Sequence, residues 1–476
     1  MNRAHSTSRL SRRQLLGRAA TGFPLAAFYS LLANHSQAAP SPLAARPPHF
    51  VPRAKRAIFL FMGGGPSHID LFDPKPALAR YERVGIQPPA GVGTLRDTKG
   101  LKSLPSPWKF RRRGQSGMWC SELYPHVAKW VDNICLIRSM VCDQIEHSGA
   151  IRQLTTGDTF FSRPSLGSWL LYGLGSENEN LPGFVCFDDQ INLRGGVTYG
   201  SSFLPAMYQG IQVAKQNLVN SKGQPIANLK SPVPARIQRA KVQAIRELDR
   251  DYASQRRDDS RLAARIASYE LAFRMQIASP AAFDLSQETE ATHRMYGVGD
   301  KVVDDPVTPC FAKQCLLARR LVERGVRFVV CNVNNQWDSH GNLKANHEKV
   351  AVRTDQPVAA LLADLSQRGL LDSTLVIWAG EFGRTPQTQG ASYGRDHHPY
   401  GFSCWLAGGG AKGGLTYGST DDFGYYAVDK KVHFHDLHAT ILHQMGLDHT
   451  KLTYRYGGRD YRLTDVFGNV VNEILT

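Results

Sequence analysis

Three uninterrupted apolar segments constrain the fold of this 476-residue chain more than any other feature. They span residues 57–62, 326–333 and 374–379, and each one is followed by glycine or polar residues. Strands that are buried on both faces of a parallel sheet have this pattern. Helical patterns precede the second and third segments, at residues 311–324 and 351–368. This alternation predicts an α/β fold, a three-layer α/β/α sandwich with a mostly parallel central sheet.

Residues 235–276 have a different pattern. Apolar side chains recur there at helical spacing among many charged ones, which predicts one or two long amphipathic helices. We interpret them as a helical insertion in a single domain of residues 55–476. Two roles are open for this insertion: an element that binds a partner or covers the substrate, and an ordinary packing layer.

The formal net charge of +16 is typical of proteins that bind nucleic acids or anionic surfaces. Its distribution weakens that interpretation, because residues 1–56 contain nine Lys and Arg residues and no Asp or Glu. The sequence also contains no nucleic-acid recognition motif, so we expect no nucleic-acid partner. The basic run at residues 109–113 is expected to be a solvated loop, with a polyanion contact as the alternative.

The first 38 residues have the pattern of an export signal that is removed from the mature protein. Arg12 and Arg13 are followed by a short apolar stretch at residues 19–33 and by small residues at positions 36–38. This order defines a secretory signal, and the arginine pair predicts the twin-arginine route. An uncleaved N-terminal anchor helix is the alternative. We expect cleavage after Ala38, then a Pro-rich tether over residues 39–54, no stable membrane span after cleavage, and a periplasmic or otherwise exported location.

Potential metal ligands follow the predicted strands in four clusters. The carboxyl ends of parallel strands meet at one edge of a sheet, where polar residues build a site. Mixed carboxylate and imidazole groups suit one or two divalent ions, with zinc favoured by histidine and calcium or magnesium by carboxylate. Alternatively, these groups cap turns and pair with arginines. The candidate ligands are Asp338, His340, Glu381, Asp396, His397 and His398, with Asp70 in reserve.

Five segments resemble a bacterial family of twin-arginine-exported proteins, the domain of unknown function 1501 (DUF1501). The resemblance covers residues 55–470. The strand at residues 374–383 and the segment at 436–446 also resemble the alkaline phosphatase and sulfatase superfamily, which implies an alkaline phosphatase-like fold with bound divalent metal. The five segments are FLFMGGGPSHIDLFDPKP (59–76), WDSHGN (337–342), GEFGRTP (380–386), GRDHHPYGF (394–402) and WLAGGGAKGG (405–414).

Two positions depart from the superfamily pattern. Where the superfamily has an Asp-His pair that binds metal, this chain has Glu381 and Phe382, and a phenylalanine cannot bind metal. Glycine replaces the carboxylate that ends the first strand of the superfamily, and we expect Asp70, beyond the turn, to supply a carboxylate instead. One metal site is therefore expected to be remodelled or absent.

The same resemblance places a nucleophile at a helix N-terminus, in the pattern C/S-x-P/A-x-R shortly before L-x-T-G. Ser148 and Arg152 fit the five-residue pattern, with Arg152 expected to stabilise the anionic group. Aligning the chain on Thr156 and Gly157 instead puts His147 in the nucleophile's place. A serine hydroxyl needs a metal or a base for activation. The alternative role for Ser148 is that of a helix N-cap, which serine favours.

These features predict an exported metal-dependent hydrolase of phosphate or sulfate esters. The expected partner is an anionic ester, either a small molecule or a polysaccharide, and sulfated polysaccharide is implied only by the resemblance to exported sulfatases. The alternative is a non-catalytic binding or scaffold protein of the cell envelope that keeps the same fold. Phe382 and the imperfect nucleophile motif favour this alternative.

The export signal makes a direct prediction about the mature protein. N-terminal sequencing of the exported chain is expected to begin at Ala39, and replacing Arg12 and Arg13 with lysine is expected to stop export because the route requires the arginine pair. Fractionation of cells that produce each chain measures this. An exported lysine variant, or an exported chain that still begins at Met1, would refute the assignment.

Overall fold

The computed structural model describes most of the chain beyond the predicted signal. The predicted signal peptide, with its arginine pair, and the first residues of the predicted tether lie outside the described residues. The described residues are 43–82, 84–86, 101–187, 198–214, 218, 233–254, 260–305, 310–389 and 393–476.

The described residues form helices and mostly short strands. The helices are α1 (His68–Leu71), α2 (Pro76–Arg80), α3 (His147–Thr156), α4 (Leu166–Leu174), α5 (Ala235–Ser254), α6 (Ser260–Phe283), α7 (Glu290–Tyr296), α8 (Phe311–Glu323), α9 (Leu343–Gln367) and α10 (Phe434–Gln444). The strands are β1 (Arg56–Phe61), β2 (Phe110–Arg113), β3 (Met118–Ser121), β4 (Ile134–Val141), β5 (Phe184–Phe187), β6 (Ile211–Val213), β7 (Phe328–Asn332), β8 (Thr374–Ala379), β9 (Gly383–Arg384), β10 (His397–His398), β11 (Phe402–Ala407), β12 (Thr416–Tyr417), β13 (Ser419–Thr420), β14 (Ala427–Asp429), β15 (Val432–His433), β16 (Tyr454–Tyr456) and β17 (Arg459–Tyr461).

A nine-stranded sheet forms the centre of the molecule. Its order is β12-β4-β11-β8-β1-β7-β5-β6, and β15 also pairs with β4. All neighbouring strands run parallel except β11, which is antiparallel to both β4 and β8. The three predicted strands are β1, β7 and β8, and they lie side by side in this sheet. The predicted mostly parallel α/β architecture is confirmed.

The central strand β1 shows why the sheet needs helices on both faces. Its side chains alternate between two hydrophobic cores: Ile58 and Leu60 enter one, and Phe59 and Phe61 enter the other. Helices α8 and α9 contribute to the first core, and α3, α4 and α10 contribute to the second. Because a strand points successive side chains to opposite faces, an unbroken apolar run requires a cover on each side. The three predicted layers are therefore present.

Two local predictions differ from the structure. Helix α9 begins at Leu343, eight residues before the predicted start. The apolar pattern missed this first part because His347, a polar residue type, occupies a buried position on the inner face of the helix. The basic run at 109–113 is not a loop, since most of it forms β2 and pairs with β3 in a hairpin. Lys109, Arg111 and Arg112 are exposed as expected, and Arg112 lies over the ring of Trp119 at 5.3 Å, whereas Arg113 is partly buried.

The predicted insertion consists of α5 and α6. The two helices contact each other, and α6 also contacts α8. Met275, Ala282 and Phe283 of α6 are buried in the first core. The second helix of the insertion is therefore a packing layer on the helices that cover the sheet.

The described end of the predicted tether, residues 43–54, packs against the domain. Leu43 and Ala54 are buried. The amide of Arg46 donates to the carbonyl of Leu174 at 2.9 Å, and the amide of Arg53 donates to the carbonyl of Gln444 at 2.9 Å. Within the described residues, no helix has both the length and the apolar character needed to cross a bilayer.

Buried neutral histidines predict how the stability depends on pH. Burial lowers the pKa of His68, His347 and His438 to about 3 and that of His398 to about 4. Each folded-state pKa lies below the unfolded value, so this contribution to stability is complete above about pH 6.5 and is lost as the pH falls towards the folded-state values. The free energy of unfolding is expected to fall by up to about 1.4 kcal/mol per pH unit for each such histidine.

Denaturant unfolding between about pH 7 and pH 4, in chelator, measures this slope. The variant His438→Gln is expected to be less stable at neutral pH and to show a smaller slope. A free energy of unfolding that stays constant or rises on acidification would contradict the prediction.

Candidate metal centre

Segments that follow three strands of the sheet, β4, β7 and β8, converge at one edge. His147 begins α3 shortly after β4, and Asp338 and His340 follow β7. His397 lies in β10, which pairs with β9 just beyond the end of β8. This edge is formed by the carboxyl ends of parallel strands, which is where such sheets build their sites.

Four side chains at this edge form a compact cluster. His147, Asp338, His340 and His397 each offer one ligand atom within 4.8 Å of the others. The Nε2 atoms of His340 and His397 are 3.0 Å apart, and Asp338 Oδ1 lies 3.1 Å and 3.6 Å from these two atoms. The Nε2 atom of His147 lies 3.4 Å from Asp338 Oδ2. Ligands about 2.0–2.1 Å from a tetrahedral zinc ion are about 3.3 Å apart, so the spacing of the cluster suits zinc.

Each of the three histidines is held through its other ring nitrogen. Nδ1 of His147 contacts Glu381 Oε1 at 2.6 Å, and Nδ1 of His397 contacts the carbonyl oxygen of Ile145 at 2.8 Å. Nδ1 of His340 contacts the side-chain oxygen of Gln389. Metal-binding histidines almost always donate this second N–H to a carboxylate or carbonyl oxygen, which leaves the other nitrogen free for the metal.

Glu381 lies behind His147 and outside the four-residue cluster. Its carboxylate is fully buried and accepts hydrogen bonds from the amides of Gly64 at 2.9 Å and Gly65 at 3.3 Å. Gly64 has φ +105°, and a Cβ atom there would lie 2.4 Å from the backbone nitrogen of Asp338. The glycines after β1 therefore allow the loop to pass between Glu381 and Asp338, and their amides bind a carboxylate of the protein itself.

Arg384 holds the carboxylate of Asp338 in place through a hydrogen bond. The guanidinium is fully buried and donates to Asp338 Oδ1 at 2.6 Å and to the carbonyl of Gly65 at 2.9 Å. It also donates to the carbonyls of Gly64 and Arg395. Arg384 therefore pairs with the carboxylate of the cluster and with backbone carbonyls.

The strand β10 separates the two adjacent histidines. His397 faces the cluster, whereas the Nε2 atom of His398 contacts the carbonyl of Tyr425 on the other side. Successive side chains of a strand point to opposite faces, so only one of the two can face the cluster. Asp396 lies beside the four-residue cluster and is not part of it. Its Oδ1 is 3.7 Å from His340 Nδ1 and accepts a hydrogen bond from the amide of His397 at 2.8 Å.

Asp70, the carboxylate held in reserve, is engaged elsewhere. Its two oxygens accept hydrogen bonds from Arg395 at 2.8 Å and 3.1 Å, and both side chains are fully buried. A buried ion pair of this kind needs both partners, because either charge alone would be uncompensated. The alternative in which these groups pair with arginines therefore describes Asp70 correctly.

The structure also places the candidate nucleophile and its arginine. The N-cap of α3 is Glu146, whose carboxylate accepts the amide of Ser148 at 2.8 Å, so the N-cap role considered for Ser148 is wrong. Ser148 is the second residue of the helix, directly after His147. Arg152 donates to the carbonyls of Thr159 and Phe160 at 3.4 Å and 2.6 Å, and so braces the loop that follows α3.

Two members of the site were not among the predicted ligands. His147 appeared in the sequence only as the alternative occupant of the nucleophile position, and the cue was the alignment on Thr156 and Gly157. Gln389 gave no cue, because glutamine is not a usual metal ligand and it acts here on Nδ1 of His340.

Residues 54–475 match the model of the DUF1501 family, which is described as a protein of unknown function. The chain belongs to the DUF1501 family. No curated protein matches it.

Solved structures resemble this DUF1501 protein at low identity. A protein of the alkaline phosphatase superfamily from Vibrio parahaemolyticus aligns with 10% identity and a TM-score of 0.39, over 89% of this chain and 74% of the other. The phosphonate monoester hydrolase of Silicibacter pomeroyi aligns with 10% identity and a TM-score of 0.35, over 88% and 76%. A sulfatase from Pseudoalteromonas sp. aligns with 12% identity and a TM-score of 0.34, over 83% and 68%.

The electrostatics of the DUF1501 site favour a positive charge at its centre. Burial lowers the pKa of His147, but the nearby Asp338 and Glu381 outweigh burial and raise it to about 9. Burial alone raises the pKa of Asp338, and contacts with the surrounding histidines and Arg384 hold it well below its usual range. The two carboxylates thus stay ionised and attract a cation, either the proton on His147 or a metal ion.

The donor set of the DUF1501 site fits a divalent metal. The buried Nε2 atom of His147 points into the cluster, and its 3.4 Å contact with Asp338 Oδ2 lacks hydrogen-bond geometry. Three imidazole nitrogens and one carboxylate favour zinc over calcium or magnesium, which prefer all-oxygen ligands. His147, Asp338, His340 and His397 would hold the ion, and Glu381, Gln389 and the Ile145 carbonyl would orient the rings.

The geometry predicts unequal roles for the two adjacent histidines. The variant His397→Ala is expected to lose one equivalent of zinc per chain, because it removes a ligand. The variant His398→Gln, on the opposite face of the same strand, is expected to keep it. Gln389→Ala is expected to weaken zinc binding about 10–100-fold, since it releases the ring of His340. Competition titration with a zinc-binding dye measures all three. Loss of zinc in His398→Gln but not in His397→Ala would contradict the assignment.

Proposed function

We propose that this DUF1501 protein is an exported metal-dependent hydrolase of phosphate or sulfate esters. One observation carries the proposal: three imidazole Nε2 atoms and the carboxylate of Asp338 meet at the carboxyl edge of the sheet, and each ring is fixed through Nδ1. Export is proposed from the sequence of residues 1–38. Removal of five arginines with the signal leaves a net charge of +11, which is compatible with anionic substrates.

The cluster is closed on one side and accessible on the other. The side chains of His147 and His397 are 10% and 6% exposed, whereas those of Asp338 and His340 are 27% and 35% exposed. An ester can therefore approach past Asp338 and His340, while the other two ligands anchor the metal to the protein. This difference in exposure suits a site that exchanges a ligand with solvent or substrate.

A bound divalent ion would polarise an ester oxygen and lower the pKa of a bound water or hydroxyl group. The chain supplies the rest of the chemistry. With a metal bound, Glu381 would hold the proton on Nδ1 of His147 and leave the lone pair of Nε2 for the metal. Ser148 follows His147 in α3 and is partly exposed, and it stays our candidate nucleophile, whose hydroxyl a metal held by His147 would activate.

The class of substrate is proposed from charge and from the sequence resemblance. Phosphate and sulfate esters are anions. Because Arg384 already donates to Asp338 and to backbone carbonyls, the bound metal cation would provide the positive charge that attracts them. A sulfated polysaccharide is one member of this class, and it is proposed only from the resemblance to exported sulfatases.

A non-catalytic scaffold is the second candidate, and two observations favour it. Four protein ligands complete a tetrahedron, as they do in structural zinc sites. Arg152 and Arg384 both donate to groups of the protein itself, so neither is directed at a substrate anion. In this case the metal would stabilise the edge of the sheet, and the protein would bind a partner in the cell envelope.

Activity and metal content together separate the two candidates. The zinc-loaded mature protein is expected to hydrolyse an aryl phosphate or an aryl sulfate. Asp338→Ala is expected to lose activity more than about 100-fold, because a direct ligand matters more than the groups that orient ligands. Ser148→Ala tests the nucleophile, and His126→Gln, at an exposed site outside the cluster, is the control. Stoichiometric zinc with no hydrolysis of either ester would favour the scaffold. Equal activity in wild type and Asp338→Ala would refute the site.

A further inference from the structure

A second group of metal-type side chains lies where α3 and α10 begin. Asp143, His433 and His435 each offer one ligand atom within 4.8 Å of the others. Asp143 precedes α3 by four residues, His433 is the N-cap of α10 and His435 lies in its first turn. None of these residues belongs to the cluster around Asp338, so the group is a separate feature of the same sheet edge.

Asp143 is exposed but firmly oriented. Its amide donates to Gln153 Oε1 at 3.0 Å, and the side-chain amide of Gln153 donates to Asp143 Oδ2. Gln153 is buried in α3, with 1% of its surface exposed. Gln153 occupies one lone pair of Oδ2, so the other lone pairs of the carboxylate stay available in a fixed position, as with the partners of metal ligands.

The two histidines supply nitrogen donors beside this carboxylate. His433 Nε2 lies 3.2 Å from Asp143 Oδ2, and the rings of His433 and His435 are 4.8 Å apart. His435 is 5% exposed, and its buried Nδ1 atom makes no hydrogen bond with any described residue. A buried ring nitrogen without a partner is costly, and a metal ion would compensate that cost.

The N-cap contact of His433 sets a condition on metal binding. Its Nδ1 accepts the amide of His435 at a long distance of 3.3 Å, so the ring proton sits on Nε2. Binding a metal through Nε2 moves that proton to Nδ1 and gives up this weak contact. Asp436 still accepts the amide of His433 at 2.9 Å, so the helix start keeps half of its capping box.

We infer that Asp143, His433 and His435 form a second divalent-metal site, selective for zinc, that ties the loop before α3 to the start of α10. Two imidazoles and one carboxylate leave the fourth tetrahedral position for water. Two nitrogen donors favour zinc over calcium or magnesium. The loop from Asp143 leads directly to His147, so an ion at this site would restrain the helix that supplies a ligand to the first cluster.

The test uses Zn²⁺ alone as the probe and the full mature chain. In a His340→Ala background, which removes the first cluster, one zinc per chain is expected to remain. Adding Asp143→Asn is expected to lower the affinity for that zinc more than about 100-fold, because a direct ligand is lost. Since Asp143 is exposed, the change is not expected to prevent folding. His433→Gln provides a second, independent change. His126→Gln is the matched surface control and is expected to change nothing.

Zinc per chain and the zinc-induced rise in melting temperature are the two readouts. Both are expected to survive in His340→Ala and to disappear on adding Asp143→Asn. A His340→Ala chain without zinc, or one whose zinc is insensitive to both Asp143→Asn and His433→Gln, would overturn the inference. If wild type holds one zinc that Asp143→Asn removes and His340→Ala does not, the second site stands and the proposed first site falls.

Discussion

The rest of the site depends on the hydrogen bonds that the buried carboxylate of Glu381 makes. This carboxylate is fully buried at the end of β8, and it is compensated by the amides of Gly64 and Gly65 and by His147. An ionised carboxylate can be buried only when hydrogen bonds and opposite charge replace its water. These partners come from the loop after β1 and from the start of α3. One side chain thus fixes the relative positions of three elements, and through His147 it determines where the histidine cluster forms.

The neighbouring Phe382 adds an apolar wall to this arrangement. Its ring lies 4.9 Å from the ring of His147 and 4.5 Å from that of His397. Packing against an aromatic side chain restricts the rotation of both imidazoles. The position where the superfamily pattern has a histidine ligand therefore still serves the site. It holds two ligand rings in place and keeps water from one side of them, so the departure from the pattern does not by itself argue against a metal.

The sequence was sufficient for the features that repeat along the chain. The apolar runs of β1, β7 and β8 are long and flanked by turn residues, and they predict a parallel sheet and the edge that carries the site. The same reasoning predicted Asp338, His340 and His397 at that edge. It could not distinguish His397 from His398, because that choice depends on which face of a two-residue strand meets the cluster. It could not predict the pairing of Asp70 with Arg395 either, since 325 residues separate these partners in the chain.

The short strand β10 has a consequence for how this site tolerates sequence change. Its register against β9 pairs His397 with Arg384 and His398 with Gly383. In this register the side chain of His397 faces the cluster and that of His398 faces Tyr425. A slip of a single residue within β10 would instead turn the other imidazole inwards and carry His397 towards Tyr425. Which of the two residues of β10 faces inwards therefore determines whether the four-residue cluster can form, and the number of histidines nearby does not.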